Sequence, residues 1–226
     1  MNKYRMSDLR KYINYLPSQE NVGCCASSAT LVALETMLSV NRQSVHFSRL
    51  FPYYNARKMQ DRLGQAGTGL KDVLDSIKQY GVCLNQFWPF SPHRVNKEPT
   101  LLAYQNAEQY RVLKYTPIEP DDFNSSIDKL VPVIIGLQIG RKFKAMEKTL
   151  DKQTYMPINS TNNRYSHGHA VTIVGYNSTG WIISNSFGLN WGDHGYGLLP
   201  YECSVDIGEA YIVRSFVGIS AEEKNL

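Results

Sequence analysis

Four cysteines in 226 residues are too few, and too unevenly spaced, to form a disulfide framework. Cys24 and Cys25 are neighbours, and the ring closed by a bridge between them would be strained. A reducing compartment is the simpler setting, with the cytoplasm foremost. Export without a cleavable signal, delivery into a host and packaging in a particle are the alternatives. Long apolar runs are equally scarce. The longest, "VPVIIGLQI", is too short to span a bilayer. The amino-terminal "MNKYRMSDLRKYINYLP" is charged throughout and lacks the apolar core and small-residue cleavage site of a secretory signal. Together these absences exclude a membrane span and fit a soluble protein. Charge of one sign is thin as well. The net charge of +4 is spread along the chain, and its densest cluster runs from Arg141 to Lys144 with Lys148 and Lys152. That cluster alternates with Phe143, Met146 and Leu150 and reads as a solvated face, so no nucleic-acid partner is expected. Repeats and low-complexity segments are missing.

What is present is globular. Hydrophobic residues make up 42% of the chain, with fifteen tyrosines and eight phenylalanines, enough for one domain or two packed lobes. Ala29, Val32, Ala33, Thr36 and Met37 recur at helical spacing, which predicts a buried helix of about four turns beginning near Cys25. Leu70, Val73, Leu74 and Ile77 predict a second helix after Gly69, ended by "YGV". From about residue 131 the texture changes to short β-branched and aromatic runs: "VPVIIGLQI", "HAVTIVGY", "WIISN", "YGLLP" and "AYIVRSFVGI". These predict antiparallel strands. The expectation is a single α+β domain over 1–226, with a helical lobe over about 20–110 and a β-rich lobe over about 111–220. "RVNKEPTLLAYQNAEQY" crosses between the lobes, the amino-terminal segment packs on the second, and the cleft between them is the natural ligand site.

Cys25 stands out chemically. A buried free cysteine is usually a small hydrophobe. At a helix N-terminus, however, unsatisfied backbone N–H groups and the positive end of the helix dipole favour thiolate over thiol. A thiolate nucleophile needs a partner that pairs with it and then delivers a proton to the leaving group, which is imidazole chemistry near neutral pH. Of the five histidines, His46, His93 and His194 stand in polar or loop-like surroundings and read as surface residues, and His167 reads as a turn residue. His169 opens the apolar strand "HAVTIVGY", where an imidazole can project into a cleft. Asn185 follows "WIIS" and can lie beside it, accepting a hydrogen bond that orients the ring without adding charge. Taken alone, an asparagine ahead of a glycine-rich turn is more often structural.

"Q-x-x-V-G-C-C-A-S", "G-H-A-V-T-I-V-G-Y" and "N-S-F-G-L-N-W-G-D-H-G-Y-G" together resemble the papain-like cysteine peptidases (peptidase family C1), as does the separation of 144 residues from Cys25 to His169 and 16 from His169 to Asn185. "DLRKY" and "YGVCLNQFWPF" extend the likeness over most of the chain. The resemblance implies a papain-like two-lobed fold with a barrel-like second lobe and the active site between the lobes. It also implies a cysteine endopeptidase acting on peptide or protein substrates as a monomer, with no metal or organic cofactor. Cys25 would be the nucleophile, His169 the general acid and base, Asn185 the orienting residue and Gln19 an oxyanion-hole donor. Trp191 would shield the Asn–His hydrogen bond at the substrate site, and Gly67, Thr68 and Gly69 would pair with substrate backbone. Cys24 stands where the family commonly has a small residue, which implies packing, with trapping of oxidised Cys25 as a lesser reading.

Three departures accompany the likeness. Ala26 replaces an aromatic and Phe187 a tryptophan, which would alter the leaving-group side of the cleft. Val22 stands where secreted members carry a disulfide cysteine. No propeptide is apparent ahead of "MSDLRKY", as in bacterial and viral-type members without one, so another form of control is expected. Three rival readings are carried forward: an acyltransferase or amidase on the same fold, an inactive peptide-binding homologue, and a metal site built from His167, His169 and a cysteine.

Overall fold

The computed structural model describes residues 6–140, 143 and 167–218. Its first helix, α1 (Cys25–Val40), begins at the expected residue but is buried on nearly every side. The hydroxyls this encloses are satisfied locally. Ser27 Oγ donates to Arg49 O at 2.6 Å, Thr30 Oγ1 to Ala26 O at 2.8 Å and Thr36 Oγ1 to Val32 O at 2.7 Å. A helix that can internalise its own hydroxyls need not show a single apolar stripe. Helices α2 (Leu50–Met59) and α3 (Leu70–Tyr80) pack against it, α4 (Leu101–Ala107) joins α2 in an apolar cluster, and α3 carries the predicted apolar face and ends at Gly81.

The sheet contains β1 (Ser7–Asp8), β2 (Arg111–Pro117), β3 (Val133–Ile139), β4 (His167–Tyr176), β5 (Gly180–Ser184), β6 (Tyr196–Pro200) and β7 (Ile207–Val217). Their order is β2-β7-β3-β4-β5-β6, with β1 added beside β4, and every pairing is antiparallel. A short helix, α5 (Phe123–Asp128), packs on β4, β3 and β1.

Three apolar clusters follow from this arrangement. One fills the helical side around Val22, Cys24, Phe51, Tyr53 and Trp88, and one lies beneath the sheet around Phe123, Val171, Trp181 and Trp191. The third is the seam between helices and sheet, where Ala26, Ala29, Leu70, Ile134, Ala170 and Val213 meet. Thr172 Oγ1 of β4 donates to Ala29 O of α1 at 2.7 Å within this seam. The strand that carries His169 is thus fastened to the first turns of the helix that starts at Cys25.

Val22 is buried in the helical core, and the loop that follows α2 is tied down by Arg57 instead of a covalent bridge. Arg57 is 2% exposed. Its guanidinium donates to Tyr53 O (3.3 Å), Leu63 O (3.0 Å), Gln65 O (3.2 Å), Asn96 Oδ1 (2.9 Å) and Val95 O, and lies 3.9 Å from the centroid of the Tyr53 ring. Arg57→Ala would leave several of these acceptors without a donor. It is expected to destabilise the protein by about 3 kcal/mol, read as a lower denaturant midpoint. Arg57→Lys should recover only a small part of the loss, because an ammonium cannot reproduce the planar fork.

Candidate active site

Cys25 is the first residue of α1 and is half-buried at the edge of the seam cluster that also contains Ala170. Neither an acidic residue in the first turn nor a side-chain cap at Cys24 offsets the positive end of the helix. Cys24 differs from it in every respect. It is fully buried in the helical core, its Sγ lies 3.9 Å from Ser28 Oγ, and burial pushes its thiol up to about 12. This is the setting of a packing residue, and it does not favour Cys24 as a trap for oxidised Cys25.

His169 is 5% exposed, and its Nε2 lies 2.8 Å from Asn185 Oδ1. The same Oδ1 accepts the Ser186 backbone N–H at 2.8 Å. A backbone N–H can only donate, so this bond fixes which end of the Asn185 amide is oxygen, and His169 Nε2 must then carry a proton. In the neutral ring, Nδ1 is left as the nitrogen able to take up a proton. The tautomer is therefore set by the main chain of the "NSF" turn.

Gln19 belongs to the same network. Its backbone N–H donates to Ser186 O at 2.8 Å, Ser18 and Phe187 form a β-bridge, and Gly188 N–H donates to Pro17 O at 3.1 Å. The Ser186 hydroxyl donates to Gln19 Oε1, and Gln19 Nε2 donates to Val22 O at 2.8 Å. One amide proton of Gln19 remains beyond these bonds. Ser186, which the sequence reading passed over, thus orients Asn185 through its N–H and Gln19 through its hydroxyl. Its place directly after Asn185 was the only signal available.

The aromatic surround differs from the expectation for Trp191. Two other rings face the imidazole, Phe187 at 4.7 Å between centroids and Phe143 at 5.6 Å. Trp191 is 3% exposed and one ring further out, 5.0 Å from Phe143 and 6.2 Å from Phe187, with its Nε1 donating to Phe143 O at 2.7 Å. It supports the rings that face His169 and, being buried, offers no surface to a substrate. Phe143 itself, expected on a solvated face, is buried; Arg141, Lys142, Lys144, Met146, Lys148, Leu150 and Lys152 lie outside the described residues.

Gly67 approaches the residues that precede the nucleophile. A Cβ on Gly23 would lie 2.8 Å from Gly67 N, so only glycine permits this contact. The Gly67 N–H already donates to the Tyr53 hydroxyl at 3.1 Å, while Thr68 is half-buried and Gly69 is exposed ahead of α3. Ala26 is buried in the seam. Among the other histidines, His93 and His194 are exposed, whereas His46 is half-buried, with its ring 4.2 Å from that of Tyr15 and its Nδ1 3.5 Å from Glu35. His167 is exposed at the start of β4. Among the described residues, no three His, Cys, Asp or Glu side chains are grouped to hold a metal, and no helix is long and apolar enough to cross a membrane.

Comparison with known proteins bears on the fold and the family. The crystal structure of xylellain, a cysteine protease from Xylella fastidiosa, superposes with a TM-score of 0.82 over 93% of this chain and 85% of its own, at 24% identity. Peptidase 1 of Dermatophagoides pteronyssinus is 33% identical over 216 residues, covering 90% of this chain and 63% of its own length. An uncharacterised peptidase C1-like protein of Acanthamoeba polyphaga mimivirus is 29% identical over 220 residues, covering 88% of this chain and 70% of its own. The chain therefore spans only part of these curated relatives. The model of the papain family cysteine proteases matches residues 4–213, nearly the whole sequence, and the chain belongs to that family.

Proposed function

We propose that this protein hydrolyses peptide bonds of peptide or protein substrates through a thioester formed on Cys25. The observation that carries the reading is the hydrogen bond from His169 Nε2 to Asn185 Oδ1, with the oxygen fixed by Ser186 N–H, on a strand fastened to the helix that begins at Cys25. The Cys25 sulfur adds to the substrate carbonyl carbon while His169 Nδ1 holds the proton. Charge developing on the carbonyl oxygen is met by the remaining Gln19 amide proton and the Cys25 backbone N–H. As the tetrahedral adduct collapses, the C–N bond breaks, His169 protonates the departing amine, and the acyl group stays on sulfur. Water then adds with its proton passing to His169, and the C–S bond breaks to release the carboxylic acid.

The neutral Asn185 orients the imidazole without fixing a charge on it, and Phe187 and Phe143 keep water from that hydrogen bond. With the Gly67 N–H engaged by Tyr53, pairing with substrate backbone falls to Thr68 and Gly69. None of the four cysteines is joined in a disulfide, which supports a reducing setting.

Incubation with casein in H2(18)O, followed by mass spectrometry, tests the reading. New carboxyl termini carrying one heavy oxygen are expected. Products joined to an added amine and lacking the label would instead indicate acyl transfer, and unchanged casein would remove the proteolytic reading.

A further inference from the structure

The two donors proposed for the oxyanion come from different segments, the Gln19 amide from the chain ahead of α1 and the Cys25 N–H from its first turn. Residues 16–19 run alongside the turn that follows Asn185. Gln19 N–H donates to Ser186 O at 2.8 Å, Gly188 N–H donates to Pro17 O at 3.1 Å, and Ser18 bridges to Phe187. A Cβ on Gly195 would lie 3.0 Å from Leu16 Cδ1, so Leu16 rests on the same turn. These contacts tie the segment to the sheet side of the molecule.

Tyr15 attaches the other end of this segment to the helices. Its ring centroid lies 4.2 Å from that of His46 and 4.6 Å from the guanidinium carbon of Arg49, the N-cap of α2. Arg49 is 3% exposed and is held from two directions. Its Nη2 lies 3.6 Å from Glu35 Oε2, and its carbonyl oxygen accepts the Ser27 hydroxyl at 2.6 Å. Glu35 is itself fixed, since its Oε1 accepts the Phe47 N–H at 2.8 Å. Ser27 is the third residue of α1, so the seat of Tyr15 is bonded to the turn that presents the Cys25 N–H. Tyr15 remains 45% exposed. A ring so open to water adds little to the core, and its place is set by the cation beneath it.

We infer that Tyr15 is a positioning residue for the oxyanion donor, an inference that rests on the peptidase reading above and deepens it. Seated on Arg49 and His46, the ring holds residues 15–19 to the first turn of α1 and so sets the distance between the Gln19 amide and the Cys25 N–H. Without the ring, the segment keeps its bonds to the turn after Asn185 but loses its anchor four residues ahead of Gln19. The amide then moves away from the point where charge develops on the carbonyl oxygen. Such a displacement weakens an interaction made in the transition state and leaves ground-state binding nearly unchanged.

The test is steady-state kinetics on one fluorogenic peptide, with the enzyme concentration set by titrating Cys25 with a peptidyl epoxide so that a lower folded fraction cancels. Tyr15→Ala is expected to lower kcat about tenfold with KM within about twofold of the wild type. Tyr15→Phe keeps the ring and is expected to recover about half or more of the wild-type kcat. In the Gln19→Ala background, Tyr15→Ala is expected to cost less than about twofold, because the ring acts through the amide. Wild-type kcat in Tyr15→Ala, a loss confined to KM, no recovery in Tyr15→Phe, or an equal loss in the Gln19→Ala background each overturns the inference and leaves the peptidase reading standing. Failure of the wild-type protein to cleave the peptide removes both.

Discussion

Cys25→Ala is expected to lower kcat/KM for peptide-bond hydrolysis by about 10⁴- to 10⁶-fold, the loss typical when a nucleophile that works as part of a unit is deleted. The partner groups would remain in place, since His169 is held by Asn185. Cys24→Ala should behave differently. Its sulfur is enclosed in the helical core and its thiol is pushed up to about 12, so at neutral pH it is neither ionised nor reachable. Its removal should cost about 1–2 kcal/mol of stability and leave turnover close to that of the wild type. Labelling with a peptidyl epoxide followed by peptide mapping checks the same distinction. Modification belongs on Cys25 alone, with Cys24 and Cys83 labelled only after denaturation. Full casein cleavage by Cys25→Ala would defeat the assignment.

Gln19→Ala is expected to reduce kcat by about 10²- to 10³-fold with little change in KM, because the amide proton it removes acts on charge present only in the transition state. The hydrogen bonds of Gln19 add a second expectation. Its Oε1 is held by the Ser186 hydroxyl and its Nε2 by Val22 O, so the donor is aimed before substrate arrives. Ser186→Ala releases one of those holds and should lower kcat by about tenfold while the His169–Asn185 hydrogen bond persists, since that bond depends on the Ser186 main chain. The double variant Gln19→Ala/Ser186→Ala should then be little worse than Gln19→Ala alone, because the hydroxyl acts through the amide. Steady-state kinetics on one fluorogenic peptide separates these cases. A Gln19→Ala effect confined to KM would assign the side chain to ground-state binding instead.

Much of this architecture is legible in the residues. The helices at Cys25 and Leu70 announce themselves through spacing, and the strands after residue 131 through β-branched runs, because both signals arise from burial of a local face. Strands that lack such a run give no local signal. In β2, Arg111–Pro117 mixes charge and tyrosine and becomes a strand by pairing with β7, about a hundred residues away. In β1, two residues suffice because β4 presents an edge to them. Phe143 sits among cations and reads as solvated. Only the fold shows its ring turned inward against His169 and Trp191.

Sequence alone determined the identity and order of the reactive groups: a thiol at a helix start, an imidazole at a strand head, an amide before a glycine-rich turn, and a second amide six residues ahead of the thiol. Those features are local, and local propensity writes them into the chain. The tertiary structure decided which protonated nitrogen His169 presents to Asn185, that Ser186 aims Gln19, and that Phe187 and Phe143 rather than Trp191 cover the ring. Each of these depends on strand register and on packing between segments far apart in the chain. A shift of one residue in the pairing of β4 would turn His169 to the opposite face of the sheet.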